Sequence, residues 1–440
     1  MLRYSRQALF NVGIVVSSFW LVSGCDSSTT PPSPTLTASR WNDAVVVTGT
    51  GDPSVDVPAV QAAVDQGGDV ILEGHFSFDK PPTQPLAATL GTLYAPAAEV
   101  LISHAVRISG SRENEGSMAT IDGGTIPFYV AAPGQSVSIE RLRFVRPTTA
   151  AIFVFAVTGL EVTSTKIESG VPFNGLASGI YVVTSANLPL PSNPGHPENV
   201  SGLLRFVSND VDMAGGTAVA NTLGITVFAV GVPGAEANVE VLNNTITNTT
   251  EPAINFRRVV GIAKIEHNTI VTDTIVGNAP RNQAIRVANT GSYLIAHNSI
   301  DCRWVNAEAE AIGVFSQVEA WPIQNAIVVN NAIDMTAPSG TVFTTFSAGI
   351  AVYGFANGNL VRHNSIRGQA RAGVAIPVFP LTGTPAAPHD NAFVENRFVQ
   401  FTPSLADYFV GAHAVNTRIV GRGTVEDEGT ETIIVPSEEQ

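Results

Sequence analysis

Two arginines and an asparagine stand out as residues that could do chemistry, because they occupy matching places in a repeated pentapeptide. The pentapeptide reads small residue, Ile or Val, any residue, aliphatic or aromatic residue, any residue, and its copies include Ala253–Arg257 and Ala284–Ala288. If each copy is a strand, the second and fourth positions point inward and the third and fifth point outward. Asn255, Arg257 and Arg286 then face outward, where an arginine fork matches a carboxylate or a sulfate.

Aromatic residues recur at the same outward positions in neighbouring copies. Exposed rings are costly, yet they stack well on the apolar faces of sugar rings. We therefore predict a binding surface, suited to stacking and to anion recognition, formed by Phe228, Asn255, Arg257, Arg286, Phe315 and Tyr353. In full, the third position reads Phe153, Tyr181, Thr226, Asn255, Arg286, Gly313, Ala351, and the fifth reads Phe155, Val183, Phe228, Arg257, Ala288, Phe315, Tyr353.

An alternative prediction is that long loops cover this surface. Long segments with little periodicity run over residues 171–200, 273–283, 336–347 and 377–391. Such insertions either form the side walls of a binding site or lie over it and bury it. In the second case the arginines would face nearby acids such as Glu308 and Glu310.

An asparagine, followed after one residue by Ile, Val or Phe, ends a hydrophobic run seven times. Successive asparagines lie 35, 24, 30, 33, 33 and 32 residues apart, the irregular period of a coil with constant strands and variable loops. Asparagine tolerates left-handed backbone, and its amide can bond to the same residue one coil along. The seven are Asn209, Asn244, Asn268, Asn298, Asn331, Asn364 and Asn396.

These repeats resemble those of the right-handed parallel β-helix proteins, the pectin-lyase-like group. The resemblance covers most of residues 45–435 and implies an all-β solenoid, with a short capping helix from about Asp56 to Val64 at its N-terminal end. In that group the sheet made by the pentapeptide strands commonly forms the floor of a substrate groove. The resemblance therefore implies a polysaccharide or oligosaccharide ligand.

The sequence leaves catalysis open. The paired aspartates and Gly-His-Gly of polygalacturonase-like hydrolases are absent, and the outward columns hold none of the acids of calcium-dependent pectate lyases. A lyase that acts on a uronate glycan could use Arg257 or Arg286 to neutralise the carboxylate and Tyr353, His297 or an arginine as the base. The alternative is a structural or adhesion protein without catalysis. We predict no cofactor.

Histidine directly precedes three ladder asparagines. His267, His297 and His363 are predicted to point outward, with His267 and His297 on adjacent coils, close enough to pair or to bind a metal. Asn330 interrupts this column, and no carboxylate cluster accompanies it. Simple surface stacking is the favoured interpretation.

The N-terminal residues predict export and lipid anchoring. Residues 1–25 have a basic start, an apolar stretch and a small-residue site that ends in Cys25, which resembles a bacterial lipoprotein signal. Lipidated Cys25 would hold the protein to a membrane of the cell envelope, on its extracytoplasmic side. Residues 26–44 read as a flexible tether, 45–435 as one β-helix domain and 436–440 as a tail.

Composition limits the partners. The net charge of -14 argues against nucleic acid, although a local arginine cluster can still attract an acidic glycan. Cys302 is the only cysteine besides Cys25, so the lipidated chain has no internal disulfide. We expect a monomer.

Overall fold

The computed structural model describes residues 44–436, apart from 92, 112–117, 173, 188, 215–220, 273–282, 304, 306–307, 345 and 379–385. The predicted signal, Cys25 and nearly all of the tether and tail lie outside the described residues. Those predictions are therefore not tested by the structure.

Thirty-four strands pair into one continuous parallel sheet system, in which each strand pairs with the strands one coil before and after it. The pairings form three rows, and three long strands that each bend from one row into the next join these rows into a single system. The prediction of an all-β, right-handed parallel β-helix is confirmed. Its strands begin at Val45 and end at Val435.

We call the three rows the first, second and third sheets. The first sheet contains Val100–Ile102, Phe128–Ala132, the start of Ala150–Thr163, Leu176–Val183, Asn221–Val230, Ile254–Val259, Gln283–Ala288, Glu310–Ser316, Ala348–Gly354, the ends of Ser365–Ile376 and Arg397–Val410, and Val425–Asp427.

The second sheet contains Val45–Thr48, Gly68–Glu73, Val106–Gly110, Val137–Glu140, the end of Ala150–Thr163, Val200–Val207, Ala237–Leu242, Ile262–Glu266, Ser292–Ala296, Ile327–Val329, Leu360–Arg362, Ala392–Val394, Arg418–Val420 and Ile433–Val435. The third sheet contains His75–Ser77, Ala119–Asp122, Leu142–Val145, Lys166–Glu168, Asp210–Asp212, Thr245–Thr247, Thr269–Thr272, Ser299–Cys302, Ala332–Met335 and the starts of Ser365–Ile376 and Arg397–Val410.

Few other elements accompany the sheets. An α-helix spans Pro53–Val64, a one-turn helix Ala88–Gly91 and a 3-10 helix Pro197–Asn199. Two small sheets pair Gln84–Pro85 with Ala97–Ala98 and Ile323–Gln324 with Ala356–Asn357.

The first helix begins earlier than the sequence suggests. Asp52 is its N-cap and accepts a hydrogen bond from the Ser54 amide, while a proline at the first helical position suits the fixed backbone there. Asp56, predicted as the start, is instead a buried residue of the first turns that accepts from the amides of Thr50 and Ser77. The apolar side of the helix packs into the core. Its role as an end cap stays a prediction.

Inward residues of all three sheets form one apolar core that runs through the coils. Its members are mostly Val, Ile and Phe, and Ile254, Phe256, Ile285 and Val287 of the central coils are fully buried. Burial of such side chains stabilises a solenoid by about 1.5–3 kcal/mol each. The alternation that places them inside also points their neighbours outward.

The seven asparagines form the predicted ladder between the second and third sheets. In the six from Asn244 onward, Oδ1 accepts hydrogen bonds of 2.9–3.1 Å from the amide nitrogen and Nδ2 of the asparagine one coil earlier. Thr165 occupies the ladder place of the preceding coil, where its amide donates to Asn209. All seven side chains are buried, so the prediction is confirmed.

The left-handed backbone at this corner belongs to a different residue from the one predicted. The residue before each asparagine has a φ between 48° and 58°, and the asparagines themselves are not among the residues with positive φ. Its side chain faces outward, so residues as different as Ser208, His267 and Glu395 serve. Asparagine is needed here for the hydrogen bonds of its side-chain amide and not for its tolerance of left-handed backbone.

Candidate functional site

The two outward columns lie on the first sheet in the predicted register. Thr226, Asn255 and Arg286 are neighbours on successive strands. Phe228 and Arg257 are likewise neighbours in the adjacent column. Strand alternation alone therefore located these residues relative to one another.

Much of this outer face is covered. At its N-terminal end, Tyr94 lies over the first sheet, with ring centroids 5.5 Å from Phe153 and 5.0 Å from Tyr181 in edge-on geometry. Leu86, Leu90 and other residues around the one-turn helix complete this apolar cluster. No sugar can stack on these two rings in this conformation.

The C-terminal end of the face is covered as well. Phe315 and Tyr353 stack in parallel at 4.7 Å, and Phe346 packs edge-on against Tyr353 at 5.7 Å. Phe315 is 2% exposed and Tyr353 is fully buried. The prediction that these two rings are open stacking platforms is wrong, because they stack on each other and Phe346, in the loop just before the Ala348–Gly354 strand, packs against Tyr353.

Between the two apolar clusters lies a polar centre, which we define as Glu251, Asn255, Arg257, Gln283, Arg286 and Glu310. Nη2 of Arg286 is 3.7 Å from Oε2 of Glu251, and its Nε donates to Oε1 of Gln283. Gln283 in turn donates to Glu310 at 2.6 Å. The buried Arg286 thus faces acids and amides, as the covered-loop alternative anticipated, and Glu251 is one of its ion-pair partners.

Arg257 differs from Arg286. It is half-buried, and no ion pair joins it to any other residue that the structure describes. Its guanidinium lies 5.3 Å from the ring centroid of Phe228, itself half-buried. Burial, and next the positive charge of Arg286, lower the pKa of Arg257 to about 9. The charge of Glu251 opposes this shift through space but does not cancel it.

Unpartnered polar atoms surround Arg257. Its own Nε, Oδ1 of Asn255 and Oγ1 of Thr226 are buried and form no hydrogen bond. Each such atom costs about 1–3 kcal/mol unless a ligand or water meets it. These three unpartnered atoms therefore lie at neighbouring positions of the first sheet, where Arg257 and Phe228 are half-buried and Thr226 and Asn255 are buried.

The two other catalytic candidates are not available at this place. The Tyr353 hydroxyl donates to Oε2 of Glu310 at 3.2 Å and lies under Phe346. His297 is an exposed residue of the corner between the second and third sheets, so the structure does not bring it together with Arg257.

The histidines of that corner behave as a surface stack. The rings of His267 and His297 are parallel at 5.0 Å, and Nδ1 of His363 is 3.4 Å from Oε2 of Glu395. Within the described ranges, no group of three or more His, Cys, Asp or Glu could hold a metal ion. Surface stacking is confirmed for His267 and His297, whereas His363 faces Glu395.

An open cavity of about 510 Å³ lies elsewhere, at the corner after the third sheet in the first coils. It is lined by Lys80, Gly123, Gly124, Arg146 and neighbours, none of which the outward columns include. Arg146 is already compensated, with Nη2 2.8 Å from Asp122 and 3.5 Å from Asp79.

The fold defines the class: this is a parallel β-helix protein. No protein-family model matches the chain, and no curated protein matches it in sequence. Similar solved structures include the A-module of the mannuronan C-5 epimerase AlgE4 of Azotobacter vinelandii, with 12% identity and a TM-score of 0.45 over 89% of this chain and 98% of that one.

Two further similar structures have other described roles. PfbA, a surface adhesin of Streptococcus pneumoniae, has 11% identity and a TM-score of 0.46, covering 88% of this chain and 93% of that one. A PL6 alginate lyase in complex with a trisaccharide has 12% identity and a TM-score of 0.40, covering 89% and 85%. All three are parallel β-helix proteins.

Two further findings concern the described residues alone. Among the helices that the structure describes, none is long and apolar enough to span a membrane. Cys302 is a buried free thiol, and burial raises its pKa to about 12.

Proposed function

We propose that the protein binds an anionic glycan, of uronate type, on the outer face of the first sheet around Arg257. The observation that carries the proposal is the half-buried Arg257, which stands over Phe228 without an ion-pair partner among the described residues. A buried cation is stabilised when a counter-charge pairs with it, and a carboxylate suits the guanidinium fork.

The neighbours of Arg257 favour a sugar over a simple anion. Thr226 and Asn255 offer unpartnered oxygens to ligand hydroxyl groups, since a threonine hydroxyl and an amide oxygen can both accept a hydrogen bond. The exposed part of Phe228 offers an apolar surface to a ring face. A hydroxylated, acidic ring matches all four groups together.

Binding is better supported than cleavage. Elimination from a uronate needs a base at the ring proton, and the buried Tyr353 and the distant corner residue His297 do not lie where Arg257 would hold a sugar. Glu310 already accepts from Gln283 and Tyr353. Lyase activity stays a hypothesis that the binding experiment also tests.

The binding experiment is calorimetric titration of the purified domain with oligouronates and with a neutral oligosaccharide of the same length. Arg257→Gln should weaken oligouronate binding by about 10- to 100-fold, the worth of a charge-assisted hydrogen bond. Arg205→Gln is the matched control, because it removes the same charge from the second sheet, where Arg205 pairs with Glu161 and Glu240.

Equal binding by Arg257→Gln and wild type would refute the proposed site. No binding of any oligouronate by the wild type would refute the proposed ligand and favour a structural role. Ultraviolet absorbance of the same mixtures reports an unsaturated product, and its absence with every glycan that binds would remove the lyase hypothesis.

We also propose that the protein works at the cell envelope, anchored by a lipid on Cys25. This proposal is supported by the basic, apolar and small-residue order of residues 1–25. Cys25→Ala in the full chain should move the protein from the detergent-soluble membrane fraction to the aqueous fraction. An unchanged distribution would refute the anchor.

A further inference from the structure

A second set of unpartnered polar atoms lies at the corner where the first sheet ends. We define the corner cluster as Arg258, Asn289, Gln317 and Trp321. Arg258 and Asn289 take left-handed backbone, with φ of 56° and 54°, at the ends of neighbouring strands, and Gln317 follows the next strand. Arg258 directly follows Arg257, so the cluster adjoins the site proposed above.

The corner cluster is a built arrangement. Oδ1 of Asn289 accepts from the Ser316 hydroxyl at 3.2 Å and from the Gln317 amide at 3.1 Å. The Ser316 hydroxyl is also 2.8 Å from the carbonyl oxygen of Trp321. The guanidinium of Arg258 lies 4.9 Å from the Trp321 ring. Each member is therefore held in place by another.

Four buried polar atoms of the cluster nevertheless have no hydrogen-bond partner. They are Nε and Nη1 of Arg258, Nδ2 of Asn289 and Oε1 of Gln317. Asn289 is fully buried, which makes its unpartnered amide donor especially costly. Three donors and one acceptor fit a carboxylate next to a hydroxyl group.

The charge of the cluster points the same way. Burial lowers the pKa of Arg258, and Glu198 opposes that effect through space. No ion pair within 4.0 Å joins Arg258 to any residue in the described part of the chain. A half-buried cation beside free amide donors is a place for an anion.

We propose that the corner cluster is a second anion subsite, which takes a second carboxylate of the glycan held at Arg257. This inference rests on the proposed function. The side chain of Arg257 contacts Phe228 on the outer face, whereas that of Arg258 contacts Trp321 at the corner. The glycan would therefore pass from the outer face of the first sheet around the corner toward Trp321.

The test compares an oligouronate disaccharide with a tetrasaccharide, by calorimetric titration of folded variants. A disaccharide can fill the Arg257 site alone, whereas the tetrasaccharide reaches both sites. Arg258→Gln should weaken tetrasaccharide binding about tenfold or more and leave disaccharide binding unchanged. Arg257→Gln should weaken both.

A second variant keeps the test decisive if Arg258→Gln does not fold. Asn289→Asp keeps the Oδ1 that Ser316 and Gln317 need, yet it replaces the unpartnered donor with a carboxylate oxygen. We expect the same selective loss of tetrasaccharide binding. Asn330→Asp is the matched control, since Asn330 is an exposed left-handed corner residue on another face.

The outcomes separate the two proposals. If Arg257→Gln weakens binding while Arg258→Gln and Asn289→Asp bind the tetrasaccharide as wild type does, the second subsite is refuted and the proposed function stands. If Asn330→Asp weakens binding as much as Asn289→Asp, the effect is general charge repulsion and the subsite is again refuted. If wild type binds neither sugar, the proposed function itself fails.

Discussion

Replacing Asn298 by alanine removes the middle of the asparagine ladder. Its Oδ1 accepts from the amide nitrogen of Asn268 at 3.0 Å and from Nδ2 of Asn268 at 2.9 Å. Its Nδ2 donates at 2.9 Å to the carbonyl of Ile265 and to Oδ1 of Asn331. The change thus deletes four buried hydrogen bonds and leaves the Asn268 amide without its acceptor.

The expected loss of unfolding free energy is about 3–5 kcal/mol. Each net hydrogen bond contributes about 1 kcal/mol, and an orphaned buried amide adds about 1–3 kcal/mol, partly offset where water can enter. Asn396→Ala should cost less, because Nδ2 of Asn396 donates only to Val361 and has no further asparagine to meet. Urea unfolding followed by circular dichroism measures both losses, and hydrogen exchange of the Asn268 amide should accelerate.

The control is Asn330→Gly, one residue before a ladder member. Asn330 is exposed, its side chain forms no hydrogen bond with the described residues, and its φ of 55° suits glycine. We expect a change below about 1 kcal/mol. If Asn298→Ala costs no more than this control, the ladder does not hold the coils together and the reasoning is refuted.

Two further predictions concern steric fit and pH. Gly368→Ala should destabilise the fold severely and lower the soluble yield, because the added Cβ would lie 1.9 Å from the carbonyl oxygen of Met335. Gly234 has a left-handed backbone with no atom within 4 Å of an added Cβ, so Gly234→Ala should lower the free energy of unfolding by only about 1–2 kcal/mol, as measured by a thermal melt. Burial raises the pKa of Glu99 from 4.5 to about 7, so about 3 kcal/mol of stability should be present below pH 4.5 and lost as pH rises through 7. Unfolding titrations at several pH values should show this slope in wild type and a flatter one in Glu99→Gln; equal slopes, or equal losses for both glycines, would contradict the respective argument.

The repeat itself could be predicted because its residues are chemically necessary. Few residue types can replace a buried side-chain amide that must both donate and accept, so asparagine recurs at these places and the repeat can be recognised from residues such as Asn244 and Asn298. The residue before each one needs only a tolerable left-handed backbone, which His267 and Glu395 both provide, and it leaves no constant residue type to recognise.

A second ladder was present in the sequence and was overlooked. Asn359 donates from its amide and Nδ2 to Oδ1 of Asn391 at 3.0 and 2.9 Å, and it accepts from the amide of Ala326. Its two asparagines are 32 residues apart, the same step as the ladder beside it. With only two asparagines, the spacing was too short a series to stand out.

The candidate site could be predicted in register but not in accessibility. Alternation placed Arg257 beside Phe228 and Asn255 beside Arg286. What lies above a strand depends on how other segments fold over it. Tyr94 covers Phe153 from a distant segment, and Phe346 covers Tyr353 from the loop just before its strand, but no repeated pattern marks either covering residue. The corner cluster was missed for the same reason, because Trp321 reaches Arg258 from a loop two coils later.

The one-way order of the asparagine amides bears on how such a chain can change its length. Each winding from Asn244 to Asn364 presents the same acceptor to the winding before it and the same donor to the winding after it. Excising residues 332–364 would join Asn331 to Ser365, which recreates the Asn364-Ser365 junction and leaves Arg257 and Arg286 in place. Whole windings could therefore be duplicated or lost by recombination without changes to the remaining windings. The length of the solenoid and the residues that select its ligand can then evolve independently.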